Sequence, residues 1–214
     1  MNKLYIHALC EIKFDENVYV FNDFPNYIII GKDEYLNDIL SKNAYKIKDY
    51  YYDKDSNNPL LDYDDYSIYK ARIEKGAVIR KNVTLADSAI ILMGAIINMG
   101  ASIGENTMID MNAVIGSGAI IKNNVHISAG AVISGVLEPI SNNPVIIEDD
   151  VFIGANSTIK EGVHIKKGAI IGANSYVSHD VEENSLCYGA PAKFIRKATN
   201  EDYEKLAINK SLRR

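Results

Sequence analysis

Aliphatic side chains recur every six residues through more than half of the chain. Stepping by six from Ile73, every position up to Ile133 holds Ile or Leu, and the register resumes at Ile147 and continues to Val177. All seventeen positions are aliphatic, and the residue two places before each is Ala, Val, Thr or Ser. Neither an α-helix nor an alternating strand has this period, so the repeat predicts a solenoid.

A period of six is typical of short parallel strands with a turn after each strand. The aliphatic residue and the small residue two places earlier lie on the same side of a strand, so both point inward. Three strands close an 18-residue coil, and seventeen repeats make nearly six coils. Glycines directly follow several repeat positions, where we expect tight turns that need a positive φ: Gly104, Gly116, Gly154 and Gly172. The predicted fold is mainly β, a parallel β-helix of about six coils.

The repeat is interrupted once, between Ile133 and Ile147. The stretch "SGVLEPISNNPVI" makes this gap eight residues longer than one repeat and contains two prolines and an Asn-Asn pair. These features predict a loop, residues 134–146, extruded from the solenoid. We interpret it as functional, because loops on solenoids often carry function; the alternative is an insertion in a tolerant turn.

Composition changes near residue 70 and indicates a separate amino-terminal domain. Residues 1–69 carry 13 acidic and 7 basic side chains and 11 of the 14 tyrosines. We predict a small α/β domain with a linker here, with a strand over Asn26–Ile30 and a helix from about Asp33 to Lys42. The β-helix then spans residues 70–183. Residues 184–214 are expected to form a closing segment and a short C-terminal helix with Asn200 as its N-cap.

Charge and cysteine content argue against several classes of protein. The net charge of −5 disfavours nucleic-acid binding, and no apolar run approaches the roughly 18 residues of a membrane span. The charged amino terminus is unlike a secretory signal. Cys10 and Cys187 match no metal spacing and are expected to be free thiols. We therefore expect a cytoplasmic protein with no membrane or nucleic-acid partner and no bound metal.

Two outward polar residues on adjacent coils form a candidate site. Asp110 follows the inward Ile109, and His126 precedes Ile127, which lies one coil later. Adjacent coils are about 4.8 Å apart, so these two side chains are close enough to hold one small molecule. The alternative interpretation is that both are solvated, as outward residues of any solenoid can be.

Longer stretches resemble one enzyme family. The segments "MGAIINMGASIGENTMIDMNAVIG", "NVHISAGAVISGVLEP" and "NPVIIEDDVFIGANSTIKEGVHI" are similar to tetrahydrodipicolinate N-acetyltransferases, which are hexapeptide-repeat acyltransferases. The ending "YGAPAKFIRK" resembles the closing coil of many such enzymes. The resemblance implies a left-handed parallel β-helix, a homotrimer with sites between subunits, and acetyl-CoA as co-substrate without a permanently bound cofactor.

The resemblance also implies roles for particular residues. Asp110 would orient or deprotonate the substrate amine, Glu161 would be a competing base, and His126 would bind or polarise the substrate. The expected substrate-binding residues are Asn98, Met111, Ser128, Ser134, Gly135 and Glu138. The expected coenzyme A contacts are Gly154, Ala155, Gly172 and Ala173, with Lys193 as a phosphate partner. His164 is interpreted as a solvated outward residue.

These expectations lead to one main function and four alternatives. The main prediction is acetyl-CoA-dependent N-acetylation of tetrahydrodipicolinate, as L-2-amino-6-oxopimelate, in the diaminopimelate route to lysine. Alternatives are transfer of a succinyl group, acetylation of an amino sugar or another amino acid, and a catalytically silent scaffold. A γ-type carbonic anhydrase shares the solenoid but needs three zinc-binding histidines, whereas only His126 and His164 lie within the repeats and His179 lies near their end.

Overall fold

The amino-terminal unit is an antiparallel sheet with one helix. The computed structural model describes residues 2–53, 66–138, 140 and 142–207, and the chain divides into two units, Met1–Leu60 and Leu61–Arg214. The first unit has the sheet order β2-β3-β1-β4 and contains β1 (Asn2–Ala8), β2 (Tyr19–Phe21), β3 (Asn26–Gly31), α1 (Asp33–Asn43), a 3-10 turn (Ala44–Lys46) and β4 (Ile47–Asp53). Apolar residues of β1 and β3 share one buried cluster with Leu36 and Ile39 of α1. The predicted strand and helix are confirmed, each ending one residue later than predicted.

The second unit is a solenoid of three parallel sheets, preceded by a 3-10 turn (Tyr66–Ile68). Face 1 contains β5 (Arg72–Ile73), β8 (Ile90–Ile91), β11 (Met108–Ile109), β14 (His126–Ile127), β17 (Phe152–Ile153), β20 (Ile170–Ile171), β22 (Ser185–Gly189) and the antiparallel β23 (Ala192–Lys197). Face 2 contains β6 (Val78–Ile79), β9 (Ile96–Ile97), β12 (Val114–Ile115), β15 (Val132–Ile133), β18 (Thr158–Ile159) and β21 (Tyr176–Val177). Face 3 contains β7 (Thr84–Leu85), β10 (Ser102–Ile103), β13 (Ile120–Ile121), β16 (Ile146–Ile147) and β19 (His164–Ile165). The predicted mainly β solenoid of about six coils is confirmed.

The repeat residues build one continuous core. Each strand from β5 to β21 ends in a repeat aliphatic, and side chains such as Ile97 and Ile115 are 0% exposed. Burying an isoleucine of this kind stabilises the fold by about 1.5–3 kcal/mol relative to leaving it exposed. A hydroxyl group buried among these side chains needs hydrogen-bond partners. Thr107 has two, because its Oγ1 donates to the Lys122 carbonyl (2.6 Å) and accepts the Val125 N–H (3.0 Å).

The turns use glycine differently from the prediction. Positive φ occurs three residues before the repeat positions, as at Asn112 (56°) and Gly118 (70°), and these are residue types that tolerate it. The four glycines that follow repeat positions are not among the positive-φ residues, so that prediction was wrong. Their requirement is space, since a Cβ on Gly154 would lie 2.4 Å from the Ala173 nitrogen of the next coil.

Tyrosine closes the first coil of the solenoid. The Tyr66 hydroxyl donates to the Ala77 carbonyl (3.1 Å) and accepts the Ile79 N–H (2.9 Å), and the Tyr69 hydroxyl donates to the Val83 carbonyl (2.8 Å). Both rings pack against the solenoid core. The tyrosine-rich stretch before residue 70 therefore contributes to the solenoid as well as to the amino-terminal unit.

The last coil is closed by the β22–β23 hairpin and by α2 (Asn200–Lys205). The Tyr203 hydroxyl of α2 donates to the Gly168 carbonyl at 2.8 Å and so ties the helix to the solenoid. The C-terminal helix is confirmed, but its N-cap is Thr199 and not Asn200. Thr199 and Asp202 form a reciprocal capping box, which satisfies two backbone N–H groups that Asn200 cannot reach from inside the helix.

The predicted loop leaves the solenoid between β15 and β16. Leu137 and Ile140 in it are 51% and 90% exposed, while the strands on either side keep their places in the sheets. Cys10 and Cys187 are free thiols, the first exposed and the second buried. Within the described ranges, neither helix has the length and apolar character needed to cross a membrane.

Candidate active site

The turns of the solenoid stack into three rows, one at each corner of the coil. Corner 1 comprises the turns that follow face 1, corner 2 those that follow face 2, and corner 3 those that follow face 3. One coil, for example, contributes residues 110–112 to corner 1 and residues 116–118 to corner 2. Because neighbouring coils are about 4.8 Å apart, each row is a continuous edge along the solenoid.

Asp110 and His126 meet at the edge of face 1, as the repeat predicts. Asp110 follows β11 and His126 begins β14, and the two strands are paired in parallel. Asp110 Oδ2 lies 3.4 Å from His126 Nε2, and Asp110 Oδ1 accepts the Met111 N–H at 2.7 Å. The Asp110 side chain is 19% exposed. Its orientation is thus held from both sides while part of the carboxylate stays accessible to a ligand.

Phe152 supports the imidazole from the next coil. Its ring centroid lies 5.2 Å from that of His126 with the rings nearly perpendicular, at 77°. Edge-to-face contact of this kind restricts ring orientation. An 18-residue spacing does not predict the contact of Phe152 with His126, because the eight extra residues of the loop turn the coil spacing into 26 at this point.

Corner 1 also carries the residues expected to contact coenzyme A. From Asp110 and Met111 towards the last coil, the row continues through Ser128 and two Gly-Ala pairs, Gly154–Ala155 and Gly172–Ala173. It ends at the hairpin, where Tyr188 of β22 pairs with Lys193 of β23 and Lys193 is exposed. The row therefore runs from a carboxylate, past small residues, to a basic residue.

The remaining residues predicted to bind substrate or act as a base lie at corner 2 or in the loop that leaves it. Asn98, Ser134, Gly135 and Glu161 belong to corner 2, and Glu138 is exposed in the loop that leaves this corner. Glu161 has Lys160 Nζ at 3.6 Å from its Oε1. One chain does not bring Glu161 to Asp110, because the two follow strands of different faces. The repeat register, corrected for the eight-residue insertion, was the signal that could have shown this.

A second carboxylate–imidazole pair lies at corner 3. Glu148 Oε1 is 2.8 Å from His164 Nε2, and Glu148 Oε2 accepts the Lys167 N–H at 2.9 Å. This backbone N–H, together with the imidazole and against the opposing effect of burial, lowers the pKa of Glu148. His164 is thus engaged with a carboxylate, rather than simply solvated as predicted.

The histidines of the solenoid do not converge within one chain. His126 lies on face 1, His164 on face 3, and His179 in the turn after face 2. Among the described residues, no three His, Cys, Asp or Glu side chains are grouped as metal ligands would be.

Comparison with known proteins places these features in one family of sequences. Two family models match within the solenoid, the hexapeptide repeat of succinyl-transferase over residues 144–179 and the bacterial transferase hexapeptide (six repeats) over residues 100–135. The 2,3,4,5-tetrahydropyridine-2,6-dicarboxylate N-acetyltransferase of Caldanaerobacter subterraneus subsp. tengcongensis is 52% identical over 211 residues, which cover 99% of this chain and 88% of that protein. A protein of the same name from Clostridium botulinum is 49% identical over 198 residues, or 92% of this chain and 84% of that one.

A solved structure supports the architecture. A hexapeptide transferase family protein from Anaplasma phagocytophilum matches with a TM-score of 0.52 and 23% identity, over 64% of this chain and 84% of that chain. At this identity the similarity concerns the fold alone.

Proposed function

Because the chain belongs to the 2,3,4,5-tetrahydropyridine-2,6-dicarboxylate N-acetyltransferase family, we propose that it transfers the acetyl group of acetyl-CoA to the amine of open-chain tetrahydrodipicolinate. The observation that carries the proposal is the high identity to curated relatives over almost the full length of both chains. The chain is an acyltransferase, and an acyl-CoA is its co-substrate. The product is an N-acetyl amino-keto dicarboxylate on the diaminopimelate route.

The proposed reaction needs one base and a positioned thioester. The substrate amine attacks the thioester carbonyl, the N–C bond forms, the C–S bond breaks, and the amine proton passes by way of the base to the coenzyme A thiolate. Asp110 is the base that we propose, because its carboxylate is accessible and is held by the Met111 N–H and by His126. His126 binds or polarises the substrate beside it.

The acyl donor fits along corner 1. The row from Asp110 to Tyr188 spans four coils, on the order of 19 Å, which suits an extended pantetheine arm. Ala155 and Ala173 on this row have small side chains that are at least partly exposed, which leaves the edge open to close approach. The exposed Lys193 beyond them is a partner for the phosphates of coenzyme A.

We further propose that the complete site forms between copies of the chain in a homotrimer. Face 2, which lies between corner 1 and corner 2, exposes a column of apolar side chains that includes Ile96 (42%), Val132 (37%) and Tyr176 (40%). Such a column on a protein surface favours association. In a closed ring, corner 1 of one copy can face corner 2 of the next, which would place Glu161 on the same intersubunit seam as Asp110, two coils further towards the last coil.

Thiol release tests this function directly. We expect release from acetyl-CoA that depends on tetrahydrodipicolinate, and less from succinyl-CoA, with the oligomeric state measured by light scattering on the same sample. A clear preference for succinyl-CoA would transfer the activity to the related succinyltransferases. No release from either donor by a folded trimer would reject this acceptor and favour an amino sugar or another amino acid.

A further inference from the structure

Arg80 is a half-buried arginine with no acidic partner among the described residues. It follows β6 at corner 2, in the same row as Asn98 and Glu161. Its Nη1 donates to Asn98 Oδ1 at 2.9 Å, and among the described residues no carboxylate lies within ion-pair distance of it. Arg72 and Arg196 differ, because each is paired with a carboxylate, Glu74 and Asp202 respectively.

Asn98 is oriented by two donors. Its Oδ1 accepts from Arg80 Nη1 and also from the Met99 N–H, at 2.8 Å. Both contacts require the amide oxygen on this side, which leaves the two N–H groups of Nδ2 on the other side. No acceptor for Nδ2 occurs in the part of the chain that the structure describes. The remaining guanidinium donors and the Asn98 amide donors therefore stand side by side on two adjacent coils.

This arrangement matches a carboxylate. A guanidinium presents a planar fork of donors that fits the two oxygens of a carboxylate, and a half-buried positive charge is stabilised when an anion fills that fork. The phosphates of coenzyme A offer similar chemistry. However, the row proposed for the donor follows corner 1 towards the last coil, whereas Arg80 lies at corner 2 in the first coil.

We propose that Arg80 and Asn98 form the binding site for one carboxylate of the dicarboxylate acceptor. The inference rests on the proposed function and deepens it, because it names the group that selects a dicarboxylate over amino sugars and other neutral acceptors. Asn98 was expected to bind substrate from the resemblance alone; the structure adds Arg80 and the reason for the orientation of the amide.

The test is steady-state kinetics of Arg80→Gln with both substrates varied. We expect the KM for tetrahydrodipicolinate to rise roughly 10- to 100-fold, as for the loss of a charge-assisted hydrogen bond, while the KM for acetyl-CoA stays within about twofold. Arg72→Gln is the matched control, because it removes an arginine from the same coil that already has a carboxylate partner. It is expected to leave both KM values unchanged.

Asn98→Asp is a second, nearly isosteric variant. Its carboxylate would pair with Arg80 and exclude the acceptor's carboxylate, so we expect the same selective rise in KM with no loss of thermal stability. This variant decides the question if Arg80→Gln fails to fold.

An unchanged KM for the acceptor in either folded variant would overturn the proposal, and a rise confined to acetyl-CoA would assign the site to a phosphate instead. Both outcomes differ from failure of the proposed function, in which the wild-type chain itself shows no acceptor-dependent thiol release.

Discussion

Asp110 and Glu148 hold equivalent positions in the repeat, and each meets a histidine sixteen residues later. Except where the loop lengthens a coil, a residue just after one repeat position and a residue just before the next on the same face differ by sixteen, so the contact follows from the coil geometry. The Glu148–His164 pair is even the closer, at 2.8 Å against 3.4 Å. Asp110 differs from Glu148 because it lies at corner 1, where the row of turns continues past small residues to Lys193.

Asp110→Asn tests the catalytic assignment at the residue scale. We expect kcat to fall by roughly 10²- to 10⁴-fold, because an amide cannot accept the amine proton, with the fold and oligomer unchanged. Glu148→Gln is the matched control, since it removes the equivalent carboxylate at corner 3, and it should keep wild-type turnover at neutral pH. Near-normal turnover of Asp110→Asn would remove Asp110 from the role of base.

At the scale of the elements, the packing of one coil on the next limits what the turns accept. Gly154→Ala should lower the free energy of unfolding by about 1–3 kcal/mol, because the new methyl group would overlap the backbone of the following coil. Chemical denaturation measures this difference. Gly76→Asn is the control, since Gly76 has a positive φ, a Cβ there would make only an ordinary contact with the Gly94 nitrogen at 3.9 Å, and Asn occupies such turns elsewhere in the chain. Equal stability of the two variants would contradict the packing argument.

Glu148 contacts His164 and the Lys167 N–H of the next coil, and we expect its contribution to the free energy of unfolding to depend on pH. Its pKa in the folded chain is lowered from the ordinary value of 4.5, mainly by the Lys167 N–H. A lowered pKa means that the ionised form stabilises the fold above pH 4.5, and that this stabilisation is lost as the pH falls through the lower, folded-state pKa.

Thermal unfolding of Glu148→Gln checks this dependence. We expect the variant to be less stable than the wild type by about 0.5–1 kcal/mol at pH 7, and we expect the difference to shrink steadily below pH 4.5. A difference that stayed constant from pH 7 to pH 3 would show that shape, and not charge, accounts for the contribution of Glu148.

For the whole molecule, the division of site residues between two corners predicts complementation between chains. Asp110→Asn damages corner 1 and Glu161→Gln damages corner 2. If each site takes one corner from each of two neighbouring copies, trimers reassembled from equal amounts of both variants should regain about a quarter of the wild-type activity. If each site lay within one chain, every site would carry a defect and mixing would restore nothing. Each variant reassembled alone is the control.

The amino-acid sequence by itself determined the solenoid, its inward residues, the extruded loop and the approach of His126 to Asp110. All of these follow from one fixed spacing, because each coil repeats the contacts of the previous one. The same spacing, once the eight inserted residues are subtracted, also predicts that Glu161 and Asp110 follow strands of different faces.

Only the tertiary structure decided the features that depend on atoms outside the repeat. Gly154 is needed because of where the Ala173 backbone lies, and the Tyr66 hydroxyl finds its partners only at the open end of the first coil. The lack of an acidic partner for Arg80 within the described part of the chain is of the same kind, since it depends on where the neighbouring carboxylates lie. Periodicity specifies contacts between equivalent positions, whereas close approach and charge pairing are set by the three-dimensional neighbours of each atom.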